Sequence, residues 1–303
     1  MAAKRPKIGS VKIIHEIAGG KELEFEFTNR ISVFDKRIAT EIPDKGETLC
    51  RTAAHWFREA DLIGVKSHFI KLLSPNQMRV RKVKIIPDYS QLNESTRNYL
   101  VPLEWVARYY VAGSMNDRLK KGTVRPAELG LPPTGEVRYG AKLPRPYYET
   151  TTKLERIDRP VDKAEALRIS GITEEEYQAI IGSIAKIDAE LNAQVEARGL
   201  IHVDGKKEFA MDEEREIMLI DVFGTADEDR FWDLEEYKKG NPLELSKEFV
   251  RSYYRKIGYR DALYEAREKG TPEPDIPPLP PALVAEARKL YINLFERITG
   301  ETF

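Results

Sequence analysis

The stretch that decides the fold of this chain is residues 201–221, which reads I-H-V-D-G-K-K-E-F-A-M-D-E-E-R-E-I-M-L-I-D. Two apolar segments, 201–203 and 217–220, bracket the acidic turn 212–214. This order is typical of an antiparallel hairpin. The continuous apolar run of 217–220 is also typical of a buried strand.

Charged residues occupy alternate positions on the first strand of this hairpin. Asp204, Lys206 and Glu208 therefore share one face. With the turn centred near residues 213 and 214, Asp221 lies across from residues 206–208 on that face. Such a group can hold a hard cation against phosphate oxygens. The spacing alone favours an exposed face of solvated charges, but a carboxylate that ends a buried strand needs a partner or a metal.

The sequence predicts a β-rich N-terminal region and a mixed C-terminal region. Leu23, Phe25 and Phe27 alternate with glutamates, which is typical of a strand with one wet face. Residues 79–86 and 101–108 are also strand-like, and residues 47–60 favour a helix. We place a boundary near residue 100, which divides the chain into domains 1–100 and 101–303.

Loop and helix signals divide the second region further. Residues 120–146 include nine Gly or Pro and predict a long surface loop. Thr173 and Glu176 form a capping box that opens a helix, which Gly199 ends. Residues 271–281 contain six prolines and predict an extended linker. The last helix, 283–298, has an apolar stripe that we expect to pack on the body of the protein.

The composition limits the class of partner. The 303 residues carry 49 basic and 50 acidic side chains, a net charge of −1, so there is no basic footprint of a nucleic-acid or acidic-membrane binder. The longest run without Asp, Glu, Lys or Arg is residues 276–285, whereas a membrane helix needs about 20 residues. Cys50 is the only cysteine, which excludes an intrachain disulfide and indicates a reducing cytoplasm.

Further segments could contact phosphates, each with an ordinary structural alternative. Arg230, within 227–233, offers a planar fork to an anion, or lies in a polar loop. Ser114 and the small residues before it could approach an anion, or form a plain strand end. Lys153 follows a threonine-rich segment and Lys12 follows a segment that contains a glycine, and both lysines could contact phosphates. The glycine-rich nucleotide signatures and H-E-x-x-H are missing, and we interpret all four histidines as structural.

Together and in this order, these segments resemble the SAICAR synthetase family, the phosphoribosylaminoimidazole-succinocarboxamide synthases of purine biosynthesis. The resemblance runs from about residue 9 to residue 251. Its most specific parts are V-P-L-E-W-V-A-R-Y-Y-V-A-G-S (101–114), L-P-R-P-Y-Y-E-T-T-T-K-L-E (143–155), D-G-K-K-E-F (204–209) and D-E-D-R-F-W-D (227–233). S-V-F-D at 32–35 and K-G at 45–46 also match. The chain departs from the family pattern at Ser10, Ala210 and Val222, and its segment 227–230 is one residue longer than the usual spacing.

The resemblance implies a fold and a reaction. The fold is α+β and two-lobed, related to ATP-grasp enzymes, with a β-rich N-terminal lobe over a larger α+β lobe and ATP in the cleft. The reaction joins carboxyaminoimidazole ribonucleotide (CAIR) to L-aspartate, using ATP and Mg²⁺. Phosphoryl transfer converts the resistant carboxylate into an acyl phosphate, which the aspartate amine then attacks.

The resemblance also implies roles for individual residues. Glu208 and Asp221 would hold the metal and the ATP phosphates. Lys12 and Lys153 would contact the ATP phosphates. The ATP base would lie near Val83, Ile86 and Val101. CAIR would be bound by Arg108, Ser114, Asp204, Lys206 and Arg230. The catalytic residues would be Lys153, Asp204, Lys206 and Asp227. Candidates for the L-aspartate site are Asp35, Lys45 and Asp227.

Two other functions remain as alternatives. One is an ATP-dependent small-molecule kinase that shares the two-lobed ATP site. The other is a non-catalytic RNA-binding module that uses the basic run 79–84, which the balanced charge disfavours. The expected partners are small-molecule substrates, without nucleic acid or membrane, and the sequence leaves open a homo-oligomer.

Overall fold

The computed structural model describes residues 6–9, 11–245 and 247–303. Ser10, which belongs to the predicted phosphate-contacting segment 9–12, lies outside the described residues. None of the described helices is long and apolar enough to cross a membrane.

The N-terminal sheet has five antiparallel strands in the order β1-β2-β3-β7-β6. The predicted alternation in β3 is confirmed, because Phe25 and Phe27 are buried while Glu24 and Glu26, which alternate with them, are not. Helix α1 contacts this sheet and confirms the predicted helix. The elements are β1 (Lys7–Ile8), β2 (Lys12–Glu16), β3 (Glu22–Phe27), β4 (Arg30–Val33), β5 (Lys36–Glu41), α1 (Lys45–Leu62), β6 (Phe69–Ser74) and β7 (Gln77–Arg81).

The predicted strand 79–86 is shorter than expected. It ends at Arg81, because the chain then leaves the sheet and Lys84 forms an isolated bridge with Tyr99. Strands β4 and β5 form a separate two-stranded sheet.

The second sheet is antiparallel and has the order β10-β9-β8-β11-β12, with β13 paired to β11. Glu208 faces Ile220, so the predicted hairpin is confirmed. Residues 201–202, however, pair with β13 rather than with the returning strand, because β11 has 12 residues and β12 only four. The strands are β8 (Tyr99–Tyr110), β9 (Lys142–Thr152), β10 (Pro160–Val161), β11 (Leu200–Met211), β12 (Ile217–Ile220) and β13 (Asp229–Asp233).

The remaining helices cover and close the second sheet. Thr173 makes the predicted capping box with Glu176 at the start of α4. The apolar stripe of α8 packs against α1, as expected. Between α2 and β9, the predicted loop contains one 3₁₀ turn and a small apolar cluster of its own. The helices are α2 (Gly113–Lys120), α3 (Lys163–Ser170), α4 (Glu174–Ala197), α5 (Leu234–Lys238), α6 (Glu248–Lys256), α7 (Tyr259–Lys269) and α8 (Pro281–Thr299).

One apolar core joins the two sheets. It includes Phe25 and Val80 from the first sheet together with Leu103 and Phe209 from the second. All strands of the first sheet come before residue 99, and the second sheet begins there with β8. The division into domains 1–100 and 101–303 stays a prediction.

Candidate active site

Strand β11 presents its alternate charged residues to one face of the sheet. In the antiparallel register with β8, Asp204 lies opposite Arg108 and Glu208 lies opposite Glu104. Side chains at directly opposed positions of neighbouring strands lie on the same face. The pairing therefore adds Arg108 and Glu104 to the face that carries Lys206.

Two lysines lie between the opposed glutamates. Lys206 Nζ is 2.8 Å from Glu104 Oε1 and 3.2 Å from Glu208 Oε1. Lys153 Nζ is 2.5 Å from Glu208 Oε1 and 3.5 Å from Glu104 Oε1. Burial lowers the pKa of each lysine, but the surrounding carboxylates outweigh it and raise the pKa above its ordinary value. Both lysines are therefore cations at neutral pH.

Asp221 joins these residues through a change of backbone direction. The β-ladder ends at Ile220 opposite Glu208, so a continued strand would turn Asp221 to the other face. Instead, Asp221 has φ 59°, in the left-handed region, and forms an ion pair with Lys12. Burial raises the pKa of Asp221, but Lys12 and Lys153 outweigh it and hold the pKa well below its usual range. The lysine–carboxylate cluster is the set Glu104, Lys153, Lys206, Glu208 and Asp221.

Glu208 has one oxygen available to a further ligand. Its Oε2 atom is buried and has no hydrogen-bond partner among the described residues. Burial and the nearby Asp221 carboxylate raise the pKa of Glu208, against the opposing effect of Lys153. A cation at Oε2 would offset both causes.

The donor set fits Mg²⁺ better than a metal that needs many protein ligands. Within residues 6–9, 11–245 and 247–303, no three or more His, Cys, Asp or Glu form a group suited to a metal. Mg²⁺ uses one or two carboxylates together with water and substrate phosphates. Glu208 and Asp221 fit that pattern.

A second cluster lies at the Asp204 end of the same face. Arg230 Nη1 donates to the two Asp204 oxygens at 2.7 and 2.5 Å, and Arg108 Nη1 donates to Oδ2 at 3.1 Å. Arg108 also donates from Nη2 to Ser114 Oγ at 3.1 Å and from Nε to Glu149 Oε1 at 2.7 Å. One buried carboxylate thus holds two arginines side by side.

A cavity of about 580 Å³ opens beside Arg230 and Ser114. At Gly113, φ is 49°, and a Cβ there would lie 2.7 Å from Arg230 Nη2, so the guanidinium packs directly on the glycine backbone. Arg108 is not among the residues that line the cavity and is connected to it through Ser114 and through Asp204, which also binds Arg230. Further cations in the lining offer bidentate contacts to phosphate or carboxylate, and each of them also pairs with a carboxylate of the lining, Glu248 or Asp117. These cations are Arg251, Arg255 and Arg260.

The three candidates for the L-aspartate site do not lie together. Asp35 lines the cavity and its side chain is exposed. Lys45 and Asp227 form a buried ion pair, with Lys45 Nζ 2.8 Å from Asp227 Oδ2. The Tyr291 hydroxyl donates to the other Asp227 oxygen at 2.7 Å. Of the four predicted catalytic residues, Asp227 is the one that these contacts place apart from the lysine–carboxylate cluster and from the arginines.

The residues predicted for the ATP base fall in two places. Val101 is fully buried in the main core, and the partly buried Ile86 packs against that core. Val83 packs instead against a small apolar cluster. Two residues of this group, Leu154 and Ile220, are the sequence neighbours of Lys153 and Asp221. Because side chains alternate on β8, Leu100 rather than Val101 faces this cluster. Its members are Leu100, Ala210, Met218 and Ile220, with Val83 and Leu154 against them.

Sequence reasoning missed several residues of the site. Glu104 could have been found, because it lies at even spacing from Arg108 in a strand that was predicted. Glu228 Oε2 lies 3.4 Å from Lys206 Nζ, although the segment 227–233 that contains it is typical of a polar loop. Glu149 and Leu100 had no signal of their own, since only the pairing of β8 with its neighbours brings them to the site.

Two antiparallel sheets that share one core, with helices around them and a charged face on the second sheet, define a protein of the α+β class. A family model described as SAICAR synthetase matches residues 6–265. Over 293 residues the chain is 53% identical to the phosphoribosylaminoimidazole-succinocarboxamide synthase of Thermoplasma volcanium, covering 97% of each chain. This chain belongs to the SAICAR synthetase family.

Solved structures show the same fold. A SAICAR synthase from Saccharomyces cerevisiae complexed with SAICAR matches 98% of this chain and 95% of its own, with TM-score 0.76 and 24% identity. A type-2 SAICAR synthetase in complex with ADP matches 99% of both chains, with TM-score 0.71 and 24% identity. The two-lobed fold expected from the sequence is confirmed.

Proposed function

We propose that this chain is an ATP-dependent ligase that joins CAIR to L-aspartate, with release of SAICAR, ADP and phosphate, in de novo purine biosynthesis. The observation that carries the proposal is the 53% identity, over 97% of both chains, to a synthase named for this reaction. The lysine–carboxylate cluster and the arginine-lined cavity support it, because the reaction brings together two phosphate-bearing substrates.

The chemistry explains why cations are concentrated on this face. A carboxylate resists attack by an amine because it is anionic and its leaving group would be oxide. Transfer of the γ-phosphoryl group from ATP gives an acyl phosphate, and charge gathers on the phosphoryl oxygens during that transfer. We assign Lys12 and Lys153 to the ATP phosphates, where their positive charges stabilise that state. The apolar cluster around Val83 offers a surface for the base.

We further propose that Glu208 and Asp221 hold Mg²⁺. The buried Oε2 atom of Glu208, without a hydrogen-bond partner in the described part of the chain, supports this assignment. The ion would neutralise charge on the ATP phosphates. Lys12 and Lys153 keep both carboxylates compensated when no ion is bound.

For CAIR, we propose that its phosphate occupies the cavity beside Ser114 and Arg230. Arg108 supports Ser114 from behind, through the hydrogen bond at 3.1 Å. Asp204 orients both arginines, and it lies two residues before Lys206 of the lysine–carboxylate cluster, on the same face of β11. The carboxylate of CAIR would then face the γ-phosphate of ATP.

A cytoplasmic location is part of the proposal, since the chain has a single, buried cysteine, Cys50, and needs no disulfide. The RNA-binding alternative loses support, because Arg79 of the basic run forms ion pairs with Glu22 and Glu24. Analytical ultracentrifugation tests the homo-oligomer that the sequence leaves open.

The test mixes purified protein with Mg-ATP and CAIR, with and without L-aspartate, and follows ADP and SAICAR. We expect SAICAR to form, and ADP to be released continuously, only when L-aspartate is present. Absence of aspartate-dependent turnover by folded protein would contradict the proposal. A stable phosphorylated product without aspartate would identify a kinase instead.

A further inference from the structure

The guanidinium of Arg230 contacts a second carboxylate besides Asp204, that of Glu244, which has no role in the proposed function. Glu244 Oε1 lies 3.2 Å from Arg230 Nε, while Asp204 accepts from Nη1. The same Glu244 oxygen accepts hydrogen bonds from Trp232 Nε1 at 2.5 Å and from the Tyr139 hydroxyl at 3.1 Å. Three donors therefore converge on one oxygen.

The Trp232 donor to Glu244 lies in rigid surroundings. Trp232 is fully buried, and its ring stacks on Tyr237 with centroids 5.7 Å apart and planes at 18°. Tyr110 packs edge-on against the same indole. Glu244 also forms an isolated bridge with Trp232 through the backbone. A carboxylate held by buried rings and by the backbone has little freedom to follow a moving arginine.

Tyr139 connects this group to the substrate cavity. Its ring lines the cavity beside Arg230, and it belongs to the loop between α2 and β9. The loop between α2 and β9 thereby contributes to the position of Arg230, because the Tyr139 hydroxyl binds the Glu244 oxygen that contacts the guanidinium.

We propose that Glu244 is a positioning residue, which fixes the guanidinium of Arg230 at the wall of the cavity so that its remaining N–H groups meet the substrate phosphate. The inference rests on the proposed function, which assigns that phosphate to the cavity. Arginine loses less freedom on binding an anion when its fork is already oriented.

The charges around Glu244 indicate how its effect depends on pH. Burial raises the pKa of Glu244 to about 7, against the opposing effect of Arg230. The groups that face it are Arg230 and Trp232 on β13, Asp204 on β11, Glu248 on α6 and Tyr139 on the loop. As the pH falls through 7, Glu244 becomes neutral, and its attraction for the guanidinium is lost.

The test compares Glu244→Gln and Tyr139→Phe with the unaltered protein in steady-state assays. Glu244→Gln keeps the shape and the acceptor oxygen but removes the charge, and we expect KM for CAIR to rise about tenfold, the scale of one charge-assisted hydrogen bond. KM for ATP and kcat should stay within about twofold, because only ground-state binding of one substrate is altered. Tyr139→Phe should raise KM for CAIR by a smaller factor. Glu128→Gln, an exposed residue paired with Arg125 on the same loop, is the control.

A pH series gives a readout that a merely structural role would not move. KM for CAIR should rise more steeply from pH 8 to pH 6 in the unaltered protein than in Glu244→Gln, which has no charge to lose. An unchanged KM for CAIR in both variants, with the unaltered protein active, overturns the inference alone. So does a rise in KM for ATP alone. No aspartate-dependent turnover of the unaltered protein overturns the proposed function and the inference with it. If Glu244→Gln fails to fold, Tyr139→Phe decides.

Discussion

Glu104 and Glu208 face each other directly across the antiparallel strands β8 and β11. Like charges at opposed positions of a sheet destabilise it. Here Lys206 contacts both glutamates within 3.2 Å, and Lys153 contacts them at 2.5 and 3.5 Å. Two carboxylates and two ammonium groups therefore lie within one patch of a single sheet face. Bringing the two carboxylates together is costly for folding, but the two ammonium groups suit the patch to a polyanionic ligand.

Replacing Glu208 by Gln should separate activity from stability. The proposed metal contact is lost, and we expect turnover to fall by about 10²-fold or more, the scale of removing one electrostatic stabiliser. Stability without added metal should stay equal or rise, because repulsion from Glu104 and Asp221 is relieved. Aspartate-dependent ADP release and urea unfolding measure the two effects. Near-normal turnover would show that the metal assignment to Glu208 is wrong.

Replacing Gly113 by Ala should weaken CAIR binding by displacing Arg230. The new Cβ would lie 2.7 Å from Arg230 Nη2. The matched control is Gly122→Ala, since Gly122 also has positive φ, 70°, but no atom within 4 Å of the added Cβ. We expect both variants to lose stability, and only Gly113→Ala to raise KM for CAIR. Equal KM values in the two variants would mean that Arg230 does not bind CAIR.

Replacing Arg108 by Lys should raise the requirement for CAIR more than that for ATP. Lysine keeps the charge but cannot maintain the separate hydrogen bonds to Asp204, Glu149 and Ser114. We expect KM for CAIR to rise about tenfold, as for the loss of a charge-assisted hydrogen bond. Arg118→Lys is the control, because Arg118 shares the partner Glu149 and, among the described residues, its side chain forms no hydrogen bond with Ser114 or Asp204. A rise in KM for ATP alone would place Arg108 elsewhere in the mechanism.

Replacing Asp227 by Asn should destabilise the protein strongly. The change leaves the fully buried Lys45 without its counter-ion, and loss of one partner of a buried ion pair costs about 3 kcal/mol or more. The double variant Lys45→Met with Asp227→Asn should lose less, because the fully buried charge of Lys45 is removed as well and only Lys247, 3.8 Å from Asp227, loses this ion pair. Urea unfolding measures both, and an Asp227→Asn variant as stable as the unaltered protein would contradict the expectation. The kcat of the folded double variant tests the predicted catalytic role of Asp227.

Local features of the fold could be predicted because their signals lie within a few residues. The alternation of Phe25 and Phe27, the capping box of Thr173 and the apolar stripe of the last helix each depend on near neighbours along the chain. Strand pairing is less local. The short β12 leaves residues 201–202 to pair with β13 instead, and the isolated bridge of Lys84 with Tyr99 follows the early end of β7.

The sequence by itself determined the family and the chemical types of the site: alternating Asp204, Lys206 and Glu208 on a strand, and an arginine fork after the hairpin. Tertiary structure alone decided which charges meet. Lys12 pairs with Asp221 across 209 residues and Lys45 with Asp227 across 182. The reason is physical. Electrostatic energy depends on separation in space and on burial, and spacing along the chain states neither once strands from distant segments pair.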